Sequence, residues 1–147
     1  MHMTIDAVER IAPTSKVWQT GILALVVSAV INLVLYFVAS ALSIPFDVLP
    51  PGVPAPPFAL AIIFATSLTT LIGTLLFWQM PRFSKKPIST WRMVAIGVVL
   101  LSLVSPLSLL MGGDRPVAPI STLIVLEAMH ILTGAVAIYF LTTRARA

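Results

Sequence analysis

Apolar residues run almost unbroken through four stretches of the chain, and charged ones gather in the gaps between them. The runs are residues 17–42, 58–80, 90–111 and 120–143. Crossing a bilayer's hydrocarbon core takes about 20 apolar residues of α-helix, so each run is long enough for one crossing. Prolines and glycines set the limits sharply. Pro81 and Pro87 bracket FSKK, Gly112 and Gly113 open a turn before Asp114, and Pro116 and Pro119 precede the last run. Ser15 and Ser89 stand where helix N-caps are expected. The pattern predicts an all-α protein, an antiparallel four-helix transmembrane bundle over residues 17–143, behind a cytoplasmic N-terminal segment of residues 1–16.

The first run has some features of a cleaved leader: Arg10 and Lys16 precede it, and Ala39-Ser40-Ala41 resembles a small-residue cleavage site. Its apolar core is longer than the roughly 7–15 residues of a leader, so it is read as a retained helix. The connection SIPFDVLPPGVPAPPF holds six prolines and one charge, Asp47, and favours turns or a polyproline-like path. Its apolar residues suit either a stiff cap on the headgroups or a lid over the mouth of the bundle.

Charge distribution orients the bundle. Arg10, Lys16, Arg82, Lys85, Lys86, Arg92, Arg144 and Arg146 all fall on one side, and only Arg115 on the other. Positive residues collect on the cytoplasmic side, which places both termini there and the protein in the cell membrane as a multi-pass protein. Trp18, Trp78 and Trp91 lie at the same ends of their runs, as an aromatic belt would. The net charge of +4 therefore reads as topology and not as a nucleic-acid surface, since no basic stripe or soluble module carries one. The chain has no cysteine, which removes disulfides, thiolate metal sites and CxxC redox chemistry.

Candidate chemistry lies in the polar residues inside the runs. An ionisable group in hydrocarbon costs about 2.5–3.5 kcal/mol on insertion scales, so it normally faces the protein interior. In VLEAMHILTG, Glu127 and His130 stand three residues apart, and with Gly134 and Ala137 they trace one side of a helix. At a rise of about 1.5 Å per residue, Asn32 of the first run, Thr66 of the second, and Ser102 and Ser105 of the third lie at a similar depth. Pro106 should kink the third helix. Ala61, Ala65, Thr69 and Gly73, and likewise Ala24, Ser28 and Asn32, repeat every four residues as small-residue stripes suited to close helix contact. Glu127, His130, Asn32, Ser105 and Thr66 are the expected site. Glu127 would carry a proton or meet a cation, His130 would be its partner, and Asn32 would orient a hydrogen bond.

Several chemistries do not fit. Glu-x-x-His is half of a di-iron bundle pattern, and no other acid lies in any run. The zinc-protease HExxH motif is absent. Bis-histidine haem would need a second histidine in the membrane, and the other histidine is His2. A Ser105–His130–Glu127 triad lacks a nucleophile elbow. Small multidrug exporters also have four spans, but Asn32 stands where they carry a glutamate. No cofactor or metal is expected, and an enzyme is the least supported class.

INLVLYFVA in the first run, LSLVSP in the third and EAMHILTGAVA in the fourth resemble a group of uncharacterised four-span bacterial membrane proteins, classed as a domain of unknown function. The likeness covers residues 17–142. It implies a four-helix membrane domain in which Asn32, Ser105, Pro106 and His130 recur, and it implies no activity. Two functions are carried forward. One is an outward-facing polar chamber that binds a small or lipid-soluble ligand or relays protons, as a subunit of a transport system. The other is a non-catalytic structural or accessory subunit whose buried polar groups fix helix packing. The expected partners are the bilayer, a small-molecule ligand, and a second copy or a membrane protein, with no nucleic acid.

Overall fold

The computed structural model describes residues 9–46, 48, 57–111 and 117–147. Helix α1 runs Thr14–Ala41, α2 Phe58–Phe83, α3 Pro87–Ser102, α4 Val104–Leu107 and α5 Ile120–Arg144, with a 3-10 turn at Ser108–Leu110 after α4. Four units are long and apolar enough to cross a membrane: α1, α2, the α3–α4 unit Pro87–Leu110, and α5. The all-helical bundle read from hydropathy is the architecture found, with helix ends within three residues of those expected.

Proline does much of the delimiting. Pro13, Pro57 and Pro119 directly precede α1, α2 and α5. Each has the extended ψ that suits the residue before a first turn. Pro87 opens α3, where its missing N–H is no loss. Ser15 and Ser89 therefore lie inside their helices and cap nothing. Pro81 does not end α2, which continues to Phe83, because proline's φ is helical and its clash reaches only one turn back. Pro106 acts as expected: the third crossing breaks at Leu103, and the Leu107 N to Leu103 O bond is stretched to 3.5 Å. Helix α1 ends in a Schellman turn, in which Ser43 N donates to Ser40 O at 2.9 Å and Ile44 N to Ala39 O at 3.0 Å.

Helix α1 packs between α2 and α5, and α3 leans on both of those helices. Buried and exposed surfaces are inverted relative to a soluble protein. Large apolar side chains such as Val30, Phe37, Phe64, Leu101 and Ile124 face outward, while Thr20, Ser28, Asn32, Thr66, Thr70 and Thr74 are buried. Apolar exteriors cost nothing in lipid, where close packing and interhelical hydrogen bonds hold helices together instead.

Both described ends of the chain meet at one end of the bundle. Ala12 N donates to Ala145 O at 2.9 Å, and Ala147 N donates to Arg10 O at 3.0 Å. Beneath this clasp Val17, Phe77, Trp91, Ala95, Leu141 and Ala145 form the apolar core. Phe77 meets Trp91 edge-on at 5.8 Å. From the clasp, the Glu9 carboxylate reaches the start of α3, accepting from Ile88 N at 2.9 Å, Ser89 N at 3.0 Å and the Ser89 hydroxyl. The Ser89 hydroxyl bond, then the backbone bonds and nearby Lys86, hold this carboxyl below the usual glutamate range.

A lowered folded-state pKa adds stability above the unfolded value and loses it as pH falls through the folded value. Glu9→Gln should therefore cost about 1 kcal/mol at neutral pH, little more because the site is solvent-screened. Thermal unfolding at stepwise lower pH checks this: the gap between wild type and variant should close on acidification.

Candidate functional site

The connection between α2 and α3 spans only Ser84–Lys86, so the two helices are held together at the clasped end. There a Cβ on Gly73 would lie 3.4 Å from the Trp91 ring. Further along, α3 leans on α5 instead. A Cβ at Gly134 would collide with Val99 Cγ2, so glycine lets the two helices approach this closely with Val99 in its present rotamer. The helices α2 and α3 diverge, and Ala61, Ala65 and Thr69 have no side chains large enough to fill the gap. The result is a cleft of about 440 Å³ between α2, α3 and α5, within the size range of small-molecule sites. It runs along α2 from Phe58 to Leu76, about 27 Å at the helical rise. Ala65 and Thr69 on its wall are exposed, so the cleft opens sideways, onto the surface that lipid would cover.

The walls are apolar and the floor is polar. Asn32, 3% exposed, reaches the floor from α1. Its amide nitrogen donates to Thr66 Oγ1 at 3.0 Å and to Thr133 Oγ1 at 2.8 Å, which ties α1, α2 and α5 together at one depth. Both amide protons are thereby used. In this orientation Asn32 Oδ1 and the hydroxyl protons of Thr66 and Thr133 are left without partners among the described residues. One turn along on each helix, Ser28 and Thr70 occupy the same antiparallel register. Their hydroxyls, like Asn32 Oδ1, are buried and have no hydrogen-bond partner among the described residues. At the clasped end of the cleft, Trp91 Nε1 is also buried without an acceptor among them.

His130 lines the same floor. Its Nδ1 lies 2.8 Å from Leu126 O. A carbonyl only accepts, so Nδ1 carries a proton, and in the neutral ring Nε2 is an acceptor. No bond to Nε2 forms among the described residues.

Of the five residues expected at the site, the cleft brings together Asn32, Thr66 and His130. Glu127 lies elsewhere. At about 100° per residue, the cleft-lining positions Leu126, His130, Thr133 and Ala137 centre on one direction of α5, and Glu127 points nearly a right angle away. It faces a separate apolar hollow with Leu107, Leu110, Ile120 and Ile124, where neither carboxyl oxygen has a donor among the described residues. Ser105 is exposed beyond the break in the third crossing, and its carbonyl accepts from Ser108 Oγ at 2.6 Å. Ser102 borders the cleft but spends its hydroxyl on Val99 O at 2.7 Å. Thr133 escaped sequence reasoning, although it follows His130 by three positions and Leu126 by seven, the spacing of one helix face.

Among the described residues no group of three metal-ligating side chains occurs. Of the proline-rich connection, residues 43–46, 48, 57 and 58 are described. Thr122 Oγ1 donates to Pro45 O at 2.6 Å, and the Phe46 ring lies 5.2 Å from Tyr36 and 4.9 Å from Phe58, at the far end of the cleft. Most of that segment, Asp47 included, lies outside the described residues, as do the Gly112–Gly113 turn, Asp114, Arg115, Pro116 and His2.

An inside-out helical bundle with a sideways-opening cleft and a polar floor defines a class: small four-helix proteins built for a membrane. The chain belongs to the family of unknown function DUF6069, whose model matches residues 12–147. No curated protein and no solved structure matches it.

Proposed function

We propose that this protein is a multi-pass membrane protein that takes a neutral, lipid-soluble molecule into the cleft from the side. The observation that carries the reading is Asn32: buried in apolar walls, its amide holds two threonine hydroxyls at the floor beside His130. Desolvated polar groups are costly unless bonded, and this set leaves Asn32 Oδ1 and the Thr70 hydroxyl buried without partners among the described residues. Among the described residues no Asp, Glu, Lys or Arg lines the cleft. A charged ligand would therefore be unpaired at a depth where charge is expensive. The basic residues gathered about the clasped end support both termini lying in the cytoplasm, with the protein in the cell membrane.

The test uses the protein purified in lipid nanodiscs and a photoreactive hydrocarbon bearing a diazirine. Labelling should concentrate on cleft peptides, and Ala65→Phe, which fills the cleft without entering a packed contact, should reduce that labelling at least about fivefold while leaving unfolding unchanged. Labelling spread evenly over all outward faces, and indifferent to Ala65→Phe, would reject the site.

A second reading has its own observation. Asn32 bridges three helices, as a purely structural subunit would require. It predicts a loss of stability on replacing Asn32 with no change in labelling.

A further inference from the structure

The hydrogen-bonding state of the floor narrows the ligand to one chemical class. This inference rests on the cleft being a ligand site. Thr69, Thr74, Thr142 and Thr143 turn their hydroxyls back to carbonyls of their own helices, the usual habit of threonine in a helix. Thr66 and Thr133 do not. Their oxygens accept from Asn32, and neither hydroxyl has a hydrogen-bond acceptor among the described residues. Thr133 therefore has a donor to offer. One helical turn away, three positions back on the same face, His130 offers Nε2 as an acceptor. A donor and an acceptor side by side are matched by a group that is both acceptor and donor at one atom, which is a hydroxyl. A ketone or an ether accepts from Thr133 but leaves the imidazole nitrogen unanswered, and a carboxylate adds a charge that none of the described cleft residues balances.

Position sharpens this. The cleft continues past Thr66 in both directions, about 12 Å along α2 to Phe58 and about 15 Å to Leu76. Its apolar walls accompany the ligand on either side of the polar floor.

We propose that the ligand is a neutral lipid-soluble alcohol whose hydroxyl lies between apolar arms, accepting from Thr133 and donating to His130 Nε2. Asn32 is then a positioning residue, fixing the threonine hydroxyls without being the principal contact.

Three displacers of the photoreactive hydrocarbon test this on the whole protein in nanodiscs: hexadecan-8-ol, hexadecan-8-one and 8-methoxyhexadecane. They share the hexadecane chain and the position of the oxygen, and the alcohol alone can both accept and donate there. The alcohol should displace the probe at concentrations at least about tenfold lower than the ketone or the ether, since a site built around a hydroxyl discriminates against analogues lacking it. His130→Phe should bring alcohol and ether within about twofold of each other while the ether's own displacement is unchanged, a shift that a merely structural histidine would not produce. If wild type takes the ketone as readily as the alcohol, the class is wrong even though the cleft binds. If none of the three displaces the probe, the cleft does not take such ligands and both readings fall. The wild-type comparison decides the matter even if His130→Phe does not fold.

Discussion

Gly21→Ala is expected to destabilise the bundle by about 1–3 kcal/mol, the range for forcing an extra carbon into a packed interior. The new methyl would collide with both branches of the Thr74 side chain and come within 2.9 Å of its Cβ. Thr74 cannot swing clear, because it is fully buried and its hydroxyl is bound to Thr70 O at 2.8 Å. The helices α1 and α2 must part, and with them the register that sets Asn32 against Thr66. Gly97→Ala is the control. Nothing lies within 4 Å of a Cβ there, so it should leave stability unchanged or raise it, by up to about 1 kcal/mol from helix propensity. Unfolding of the three proteins by denaturant titration in one detergent reads out both effects.

The other large effect is on binding. Asn32→Leu keeps the side chain's approximate volume and removes both interhelical hydrogen bonds. Such bonds contribute about 0.6 kcal/mol each on average inside membranes, so the bundle should remain folded with a loss of about 1 kcal/mol. The site should suffer more. Freed from the amide, Thr66 and Thr133 would turn their hydroxyls back to their own helices, as Thr69 and Thr142 already do. The donor offered to the cleft then disappears. Displacement by hexadecan-8-ol should weaken at least about tenfold, and 8-methoxyhexadecane, which accepts from Thr133 as well, should weaken by a similar factor. Stability loss without a change in displacement would favour the structural reading.

How far the sequence discloses this site depends on which physical quantity each inference used. Hydropathy and proline placement report on single segments, and the four crossings follow from them. Depth arithmetic also works, because antiparallel helices of similar length share a mid-level: Asn32 and Thr66 do meet. The facing direction of α5 is harder. Of the stripe Glu127, His130, Gly134 and Ala137, the last three do line the cleft, together with Leu126, Met129 and Thr133, and only Glu127 at its edge falls outside. What sets that edge is the Gly134–Val99 crossing, a contact between distant segments that spacing within one helix does not encode. The same holds for Ser105, turned outward by the break at Leu103.

Small residues carry a second ambiguity. On α5, Gly134 admits a neighbouring helix. On α2, the Ala61–Ala65–Thr69 stripe reads equally as a contact, yet it borders open space, and the buried face of α2 is Ile62–Thr66–Thr70–Thr74, one position over. A missing side chain either lets a neighbour in or leaves a hollow, and hydropathy is the same in both cases.

The most direct test is accessibility. The chain has no cysteine, so single cysteines at Ile72 and at Phe64 can carry nitroxide labels in nanodiscs without background. Ile72 borders the cleft with a side chain that is already large and half exposed, whereas Phe64 faces outward away from it. Collision with oxygen, which concentrates in hydrocarbon, should be high at both, and hexadecan-8-ol should lower it at 72 while leaving 64 unchanged. Equal responses at the two positions, or contact of residue 72 with a water-soluble relaxation agent instead of oxygen, would show that the hollow between α2 and α3 is not a berth for a lipid-borne molecule.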